Sequence, residues 1–201
     1  MVDFTPILNR EKKFIDLWRD DNLTIQDLRE ATDTSIDYLL DLIADLEDAD
    51  IRYEPVDEEA NDPHAVEGEE NIGWTIGHLI AHVTASSEEG AAYSSLLARG
   101  VPDVEARPRY ETPWRDVDTK SKAVQRLEES RRIRLSYLDT WPDDPHYDNL
   151  RQGLSERAQE YFGDLNAPAT FLKGLSHEIG HYDQVKDAIT QALKAKKPTS
   201  A

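Results

Sequence analysis

Four long segments of the chain place apolar residues three and four positions apart, the spacing that lines one face of an α-helix. The segments are residues 24–48, 74–98, 119–140 and 166–193. In the first of them Ile36, Leu39 and Ile43 share a face, whereas aspartates occupy the other side. No segment alternates apolar and polar residues between hairpin turns. The pattern therefore predicts an all-α fold, and four helices of this length favour a four-helix bundle.

Capping residues and prolines indicate where these helices begin and where shorter helices are expected. Thr24 with Asp27 three residues later is typical of a capping box, and Thr75 is expected to cap the second long helix. Two short helices are predicted in addition. One lies near residues 7–19, and the other begins at an Asp-Pro step and covers about residues 144–161.

The length and the charge of the chain restrict its organisation and its partners. A chain of 201 residues suits a single domain, with a core expected at about residues 24–193 and a flexible tail at 194–201. The net charge of −18 disfavours binding to nucleic acids or to anionic membranes. The first residues show no basic stretch followed by an apolar one, and no apolar run is long enough for a membrane helix. A cytoplasmic protein is therefore expected.

Four of the six histidines form two pairs with a spacing of four residues, His78/His82 and His177/His181. Residues four apart on a helix project from the same face, so both imidazoles of a pair can bind one metal ion. Because the chain has no cysteine, such an ion must bind histidines and carboxylates. The spacing predicts a site for one divalent ion, and imidazole nitrogen suits zinc, nickel, iron and copper.

His177, Glu178 and His181 also form an H-E-x-x-H sequence, the helix motif of zinc metalloproteases. Such a protease takes its third metal ligand from downstream, but only Asp183 and Asp187 follow as carboxylates, both on the same predicted helix. The chain also shows no sign of an edge strand on which a peptide would lie. A zincin-type protease is therefore not expected, and the third ligand is expected upstream.

Two histidines of the second long helix are candidates for this third ligand. His82 lies nearer the edge of the apolar face of that helix than His78 does. A side chain at the edge of an apolar face can reach a cleft between helices. The geometry therefore favours His82, and His78 is expected to be a core residue or to support a ligand.

Two motifs, N-I-G-W-T-I-G-H-L-I-A-H-V at residues 71–83 and H-E-I-G-H-Y-D-Q at residues 177–184, resemble the DinB/YfiT-like superfamily. Its members are metal-binding four-helix bundles and include metal-dependent hydrolases and thiol S-transferases. The resemblance implies a bundle of this type with additional short helices. Matched residue by residue, it implies His82, His177 and His181 as metal ligands, and Gln184 matches a glutamine that often follows the final histidine.

The resemblance implies either an enzyme or a metal-binding protein without catalysis. As an enzyme, the protein would act on a small molecule by metal-assisted hydrolysis or by transfer of a low-molecular-weight thiol. Glu178 is then a candidate general base, although a helix-surface carboxylate or a partner of an imidazole is an equal alternative. A non-catalytic bundle would serve a stress response or assembly.

The cofactor and the oligomeric state follow from the same resemblance. One divalent ion is expected, with zinc or nickel ahead of iron, and a homodimer is expected because family members commonly form one. Where the family often has Arg-Gly before the glutamine, this chain has Tyr182-Asp183, which leaves the ligands intact. The substrate, the reaction and the identity of the ion stay open.

Overall fold

Helices account for all the regular structure in the described residues, which are 2–62, 65, 67–101 and 112–196 of the computed structural model. The helices are α1 Thr5–Leu8, α2 Phe14–Asp20, α3 Ile25–Leu42, α4 Asp48–Ile51, α5 Ile76–Ala98, α6 Lys120–Asp139, α7 Glu156–Phe162, α8 Ala167–Gly180 and α9 Tyr182–Ala195. A 3₁₀ helix, Trp114–Asp116, precedes α6. The predicted all-α fold with additional short helices is confirmed. In the predicted flexible tail, residues 197–201 lie outside the described part of the chain.

Side-chain caps fix the starts of the long helices close to the predicted positions. The Thr24 hydroxyl accepts from the Asp27 N–H, and the Asp27 carboxylate accepts from the Thr24 N–H at 2.8 Å. The Thr75 hydroxyl accepts from the His78 N–H at 3.1 Å. These bonds satisfy N–H groups that have no partner within the helix. Both predicted N-caps are therefore confirmed.

Two predicted helices are divided in the structure. The helix predicted near residues 7–19 consists of α1 and α2, because Arg10 adopts a left-handed conformation with φ 61° between them. The helix predicted at 24–48 ends at Leu42, and α4 follows separately. The Glu47 N–H donates to the Asp50 carboxylate at 2.7 Å, which gives this single turn its own N-terminus.

The segment before α7 is not helical, so the helix predicted at residues 144–161 is wrong in its first half. α7 begins only at Glu156. The side-chain amide of Asn149 donates to the carbonyl oxygens of Leu97 and Val101 at 3.0 and 2.9 Å. Carbonyl groups at the C-terminal end of a helix lack partners within it. The segment therefore binds the end of α5 instead of forming helical turns.

The last predicted helix, residues 166–193, is divided at His181. This residue has φ −92° and ψ −4°, and α8 ends and α9 begins on either side of it. The His181 N–H donates to the Glu178 carbonyl oxygen at 3.0 Å, a bond over three residues that tightens the turn. The break therefore falls on one of the histidines that the sequence proposes as a ligand.

The helices α3, α6, α5 and α8 pack in a ring, in which α5 and α3 each contact both α6 and α8. Buried apolar side chains form two clusters along this ring. On α5 one cluster ends at Val83 and the other begins at Ala91. Buried polar residues lie between them, and we call this set the polar layer: Thr84, Ser87, Ser130, Arg134 and Glu178. Within the described ranges, every helix is too short or too polar to cross a lipid bilayer.

Candidate metal centre

Three histidines from α5, α8 and the turn before α9 converge on one point. His82 lies in the second turn of α5, His177 lies in the last turn of α8, and His181 lies at the break. One ring nitrogen of each lies within 4.8 Å of those of the other two. The ring centroids are 4.7 to 5.1 Å apart, and all three side chains are half-buried. This histidine cluster is compatible with the binding of one metal ion by three imidazoles.

His181 is held in one tautomer by the residue that follows it on α9. Its Nδ1 lies 2.8 Å from Oε1 of Gln184, and because an amide oxygen only accepts, Nδ1 carries the proton. Burial, together with the neighbouring His82, holds the pKa of His181 below its ordinary value, although the hydrogen bond to Gln184 acts in the opposite direction. Nε2 is therefore left as an acceptor on a neutral ring, the form that binds a metal ion.

His78 lies outside the cluster and stacks against two tryptophan rings. Its ring centroid is 4.4 Å from that of Trp74 and 4.8 Å from that of Trp114, and the latter pair is nearly parallel. The Trp74 ring also lies 4.8 Å from His82 and 6.1 Å from His181. His78 thus contacts the cluster through Trp74, which forms an apolar wall beside it.

Glu178 lies next to His177 in sequence, but its side chain enters the polar layer. The carboxylate is fully buried and accepts from the Arg134 guanidinium of α6 at 3.0 Å and from the Ser87 hydroxyl of α5 at 2.9 Å. Arg134 is fully buried as well. The surface location considered for Glu178 is therefore wrong. Its role as a general base stays a prediction, and the ion pair with Arg134 argues against it.

Two cavities formed by described residues adjoin the histidine cluster on different sides. One, of about 300 Å³, is lined by Asp57, Glu59, Ala60, Asn61, Asp62, Ile72, Trp74, His181 and Gln184. The other, which we call the His177 cavity, measures about 350 Å³ and is lined by Ser86, Glu89, Gly90, Tyr93, Arg151, Leu154, Ala158, Phe162, Thr170, Lys173, Gly174 and His177. Both volumes fall within the range of ligand sites in proteins. A small molecule in either cavity would lie beside a histidine of the cluster.

Two arginines of α6 lie near the site, and the sequence analysis did not predict that they are buried. Arg126 and Arg134 are buried on the face of α6 that also buries Ala123, Leu127 and Leu138. Arginines that repeat with the same spacing as the apolar residues of a helix lie on its buried face. Because a buried cation needs a carboxylate partner, this spacing indicates a buried ion pair. The predicted stripe had Ile133 instead, which is more than a third exposed.

The described residues thus define an all-helical protein with a histidine cluster compatible with metal binding. The model of the family described as the DinB superfamily matches residues 31–185, and the chain belongs to this family. The predicted resemblance is therefore confirmed. No curated protein and no solved structure matches the chain.

Proposed function

We propose that the protein is a metalloenzyme that binds one divalent ion through His82, His177 and His181 and acts on a small molecule. The convergence of three imidazole nitrogens within 4.8 Å is the observation that supports this function best. When bound, a divalent ion supplies Lewis-acid activation of a water molecule for hydrolysis or of a thiol for transfer. Zinc and nickel fit an all-nitrogen donor set of this kind, and iron is the next candidate.

The residues around the cluster support an enzyme over a closed structural site. Three protein ligands leave a coordination position for a water molecule or a substrate, as catalytic zinc sites do. The cavities at His181 and His177 provide space for a molecule beside the cluster. Trp74 forms an apolar part of the wall of the cavity at His181. The homodimer, the cytoplasmic location and the low-molecular-weight thiol stay predictions.

Metal content measured by mass spectrometry on protein purified without a His tag or chelator tests the site. We expect about one divalent ion per chain, and almost none in the His82→Ala variant, because two remaining imidazoles hold such an ion weakly. The matched control is His146→Ala, since His146 is exposed and lies at the opposite end of α5. Wild-type protein that stays metal-free after incubation with zinc, nickel and iron would contradict the proposal.

Cobalt-loaded protein separates an enzyme from a non-catalytic metal-binding bundle. We expect 2-mercaptoethanol or azide to change the visible absorption spectrum, because an exchangeable coordination position accepts an external ligand. A spectrum that neither compound changes would indicate a closed site and favour the non-catalytic alternative. The His82→Ala variant, which is expected to lack the ion, serves as the baseline, and neither compound should change its spectrum.

Gln184→Leu is expected to lower the affinity for zinc about 10- to 100-fold without changing the stoichiometry at saturation. The substitution removes the acceptor at 2.8 Å that orients the His181 ring. Zinc titration against a competing chelator measures the effect, with Gln125→Leu on the exposed side of α6 as control. Gln184→Glu should retain the affinity because a carboxylate accepts the same bond. Equal affinities for Gln184→Leu and wild type would exclude this positioning role.

A further inference from the structure

We propose that the His177 cavity binds a small molecule through an anionic group, a carboxylate or a phosphate, held by Arg151 and Lys173. The inference deepens the proposed function and rests on it in one respect, namely that the bound molecule meets the metal ion at His177. The binding of the anion itself requires only the cavity and its two cations.

The charge of the cavity is opposite to that of the protein as a whole. The chain carries a net charge of −18. Two cationic side chains, Arg151 and Lys173, nevertheless line this cavity, whereas the described lining residues contain one carboxylate, that of Glu89. A concave site with a cationic excess concentrates field lines and attracts anions, even on an acidic protein.

Aromatic rings in the cavity hold both cations in place. The Arg151 guanidinium lies 4.2 Å from the centroid of the buried Tyr93 ring, and the Lys173 ammonium lies 4.9 Å from that of Phe162. A guanidinium stacked on a ring uses its flat face, whereas its N–H donors point outwards in the plane. Donors in this fork geometry match the two oxygens of a carboxylate or a phosphate. The stacking thus prepares Arg151 for an anion.

A buried hydroxyl adds a polar group that a ligand can satisfy. Thr170 lines the cavity and is 1 % exposed, and its hydroxyl oxygen has no hydrogen-bond partner among the described residues. A buried hydroxyl without a partner is unfavourable, and a ligand oxygen would provide one. Leu154, Ala158 and Phe162 contribute apolar side chains to the wall, beside the polar Ser86 and Glu89. The cavity therefore suits an anion with an apolar body.

The positions along α8 set the size of the ligand. Lys173 precedes His177 by four residues, and Thr170 precedes it by seven, so all three lie close to one face of the helix. At 1.5 Å per residue, these positions lie roughly 6 and 10 Å from His177 along the helix axis. The anionic group and the reacting group of the ligand are therefore expected to be separated by a similar distance, which suits a short aromatic or aliphatic acid.

Calorimetric titration with phenylacetate, phenyl phosphate and the neutral phenylacetamide tests the inference. Each compound is titrated into zinc-loaded and into chelator-treated wild-type protein. We expect one of the two anions to bind in both states and phenylacetamide to bind at least about tenfold more weakly, since it lacks the charge. The tighter of the two anions identifies the preferred group. Failure of the metal site would not affect the result with chelator-treated protein, so the two proposals are tested separately.

The Arg151→Gln/Lys173→Gln double variant assigns the binding to the cavity. We expect its dissociation constant for the anion to rise about 10- to 100-fold. Arg157→Gln, an exposed arginine of α7, should bind as wild type does. Arg151→Lys retains the charge and should bind more tightly than the double variant, and circular dichroism verifies that each variant is folded. Equal binding of the amide, unchanged binding in the double variant, or binding that requires zinc but not the two cations would overturn the proposal.

Discussion

Glu178→Ala is expected to lower the free energy of unfolding by about 3–5 kcal/mol, the usual effect of breaking a buried ion pair. Glu178 and Arg134 are both fully buried, with 3.0 Å between the carboxylate and the guanidinium. The substitution leaves Arg134 as an uncompensated charge inside the bundle, and the Ser87 hydroxyl loses its acceptor at 2.9 Å. Urea unfolding of zinc-free protein measures the change without a contribution from metal binding.

Two further variants separate the ion pair from other effects of the substitution. Glu160→Ala, on the exposed surface of α7, should change the free energy of unfolding by no more than about 0.5 kcal/mol. The Arg134→Met/Glu178→Leu double variant should be far more stable than Glu178→Ala, because apolar side chains of similar volume can replace a buried pair. Glu178→Ala protein that is as stable as wild type would contradict the ion-pair assignment and leave the general-base role of Glu178 as the better one.

Gly90→Val is expected to destabilise the protein by about 1–3 kcal/mol, because it forces α5 away from α8. A Cβ atom at Gly90 would lie 3.1 Å from both the Gly174 Cα and the Thr170 carbonyl oxygen. Both are backbone atoms, so the helices themselves must separate. Since α5 carries His82 and α8 carries His177, the affinity for zinc should fall together with the stability. Urea unfolding and zinc titration measure the two effects.

Gly180→Val is the matched control for this helix contact. Gly180 is exposed at the end of α8, and a Cβ atom there would meet no described atom within 4 Å. The same change of side chain should therefore alter the stability of zinc-free protein by no more than about 0.5 kcal/mol. Because valine has a higher helix propensity than glycine, equal losses from both valines would show that the close approach of α5 and α8 at Gly90 is not the cause of the loss.

The histidine pairs and the helix caps were predictable because their signals are local. A spacing of four residues directs His177 and His181 to the same side of any helix, whatever surrounds it. The hydrogen bonds between Thr24 and Asp27 likewise span only three residues. The choice of His82 over His78 needed the apolar face of one helix in addition, and in the structure His82 lies in the histidine cluster. Whether the three residues bind a metal ion stays a prediction.

The buried face of α6 was predicted less well, because it depends on a distant partner. The apolar pattern treats every arginine as an exposed residue, so the predicted buried face of α6 included Ile133 in place of Arg134. In the structure Arg134 is buried, because Glu178, 44 residues further along the chain, neutralises it. The break at His181 and the non-helical segment before α7 were not predicted, because they too depend on contacts that the local sequence pattern does not show. Each depends on hydrogen bonds that compete with a regular helix.

The sequence by itself determined the helical class of this protein, the starts of its long helices and the three histidines proposed as ligands. Periodicity, caps and spacing act within a few residues, so they can be recognised before the chain is folded. Only the tertiary structure decided that Glu178 faces Arg134 and that the cations Arg151 and Lys173 share a cavity with His177. The burial of a charge and the shape of a cavity depend on side chains that are distant in sequence, and folding alone brings these together.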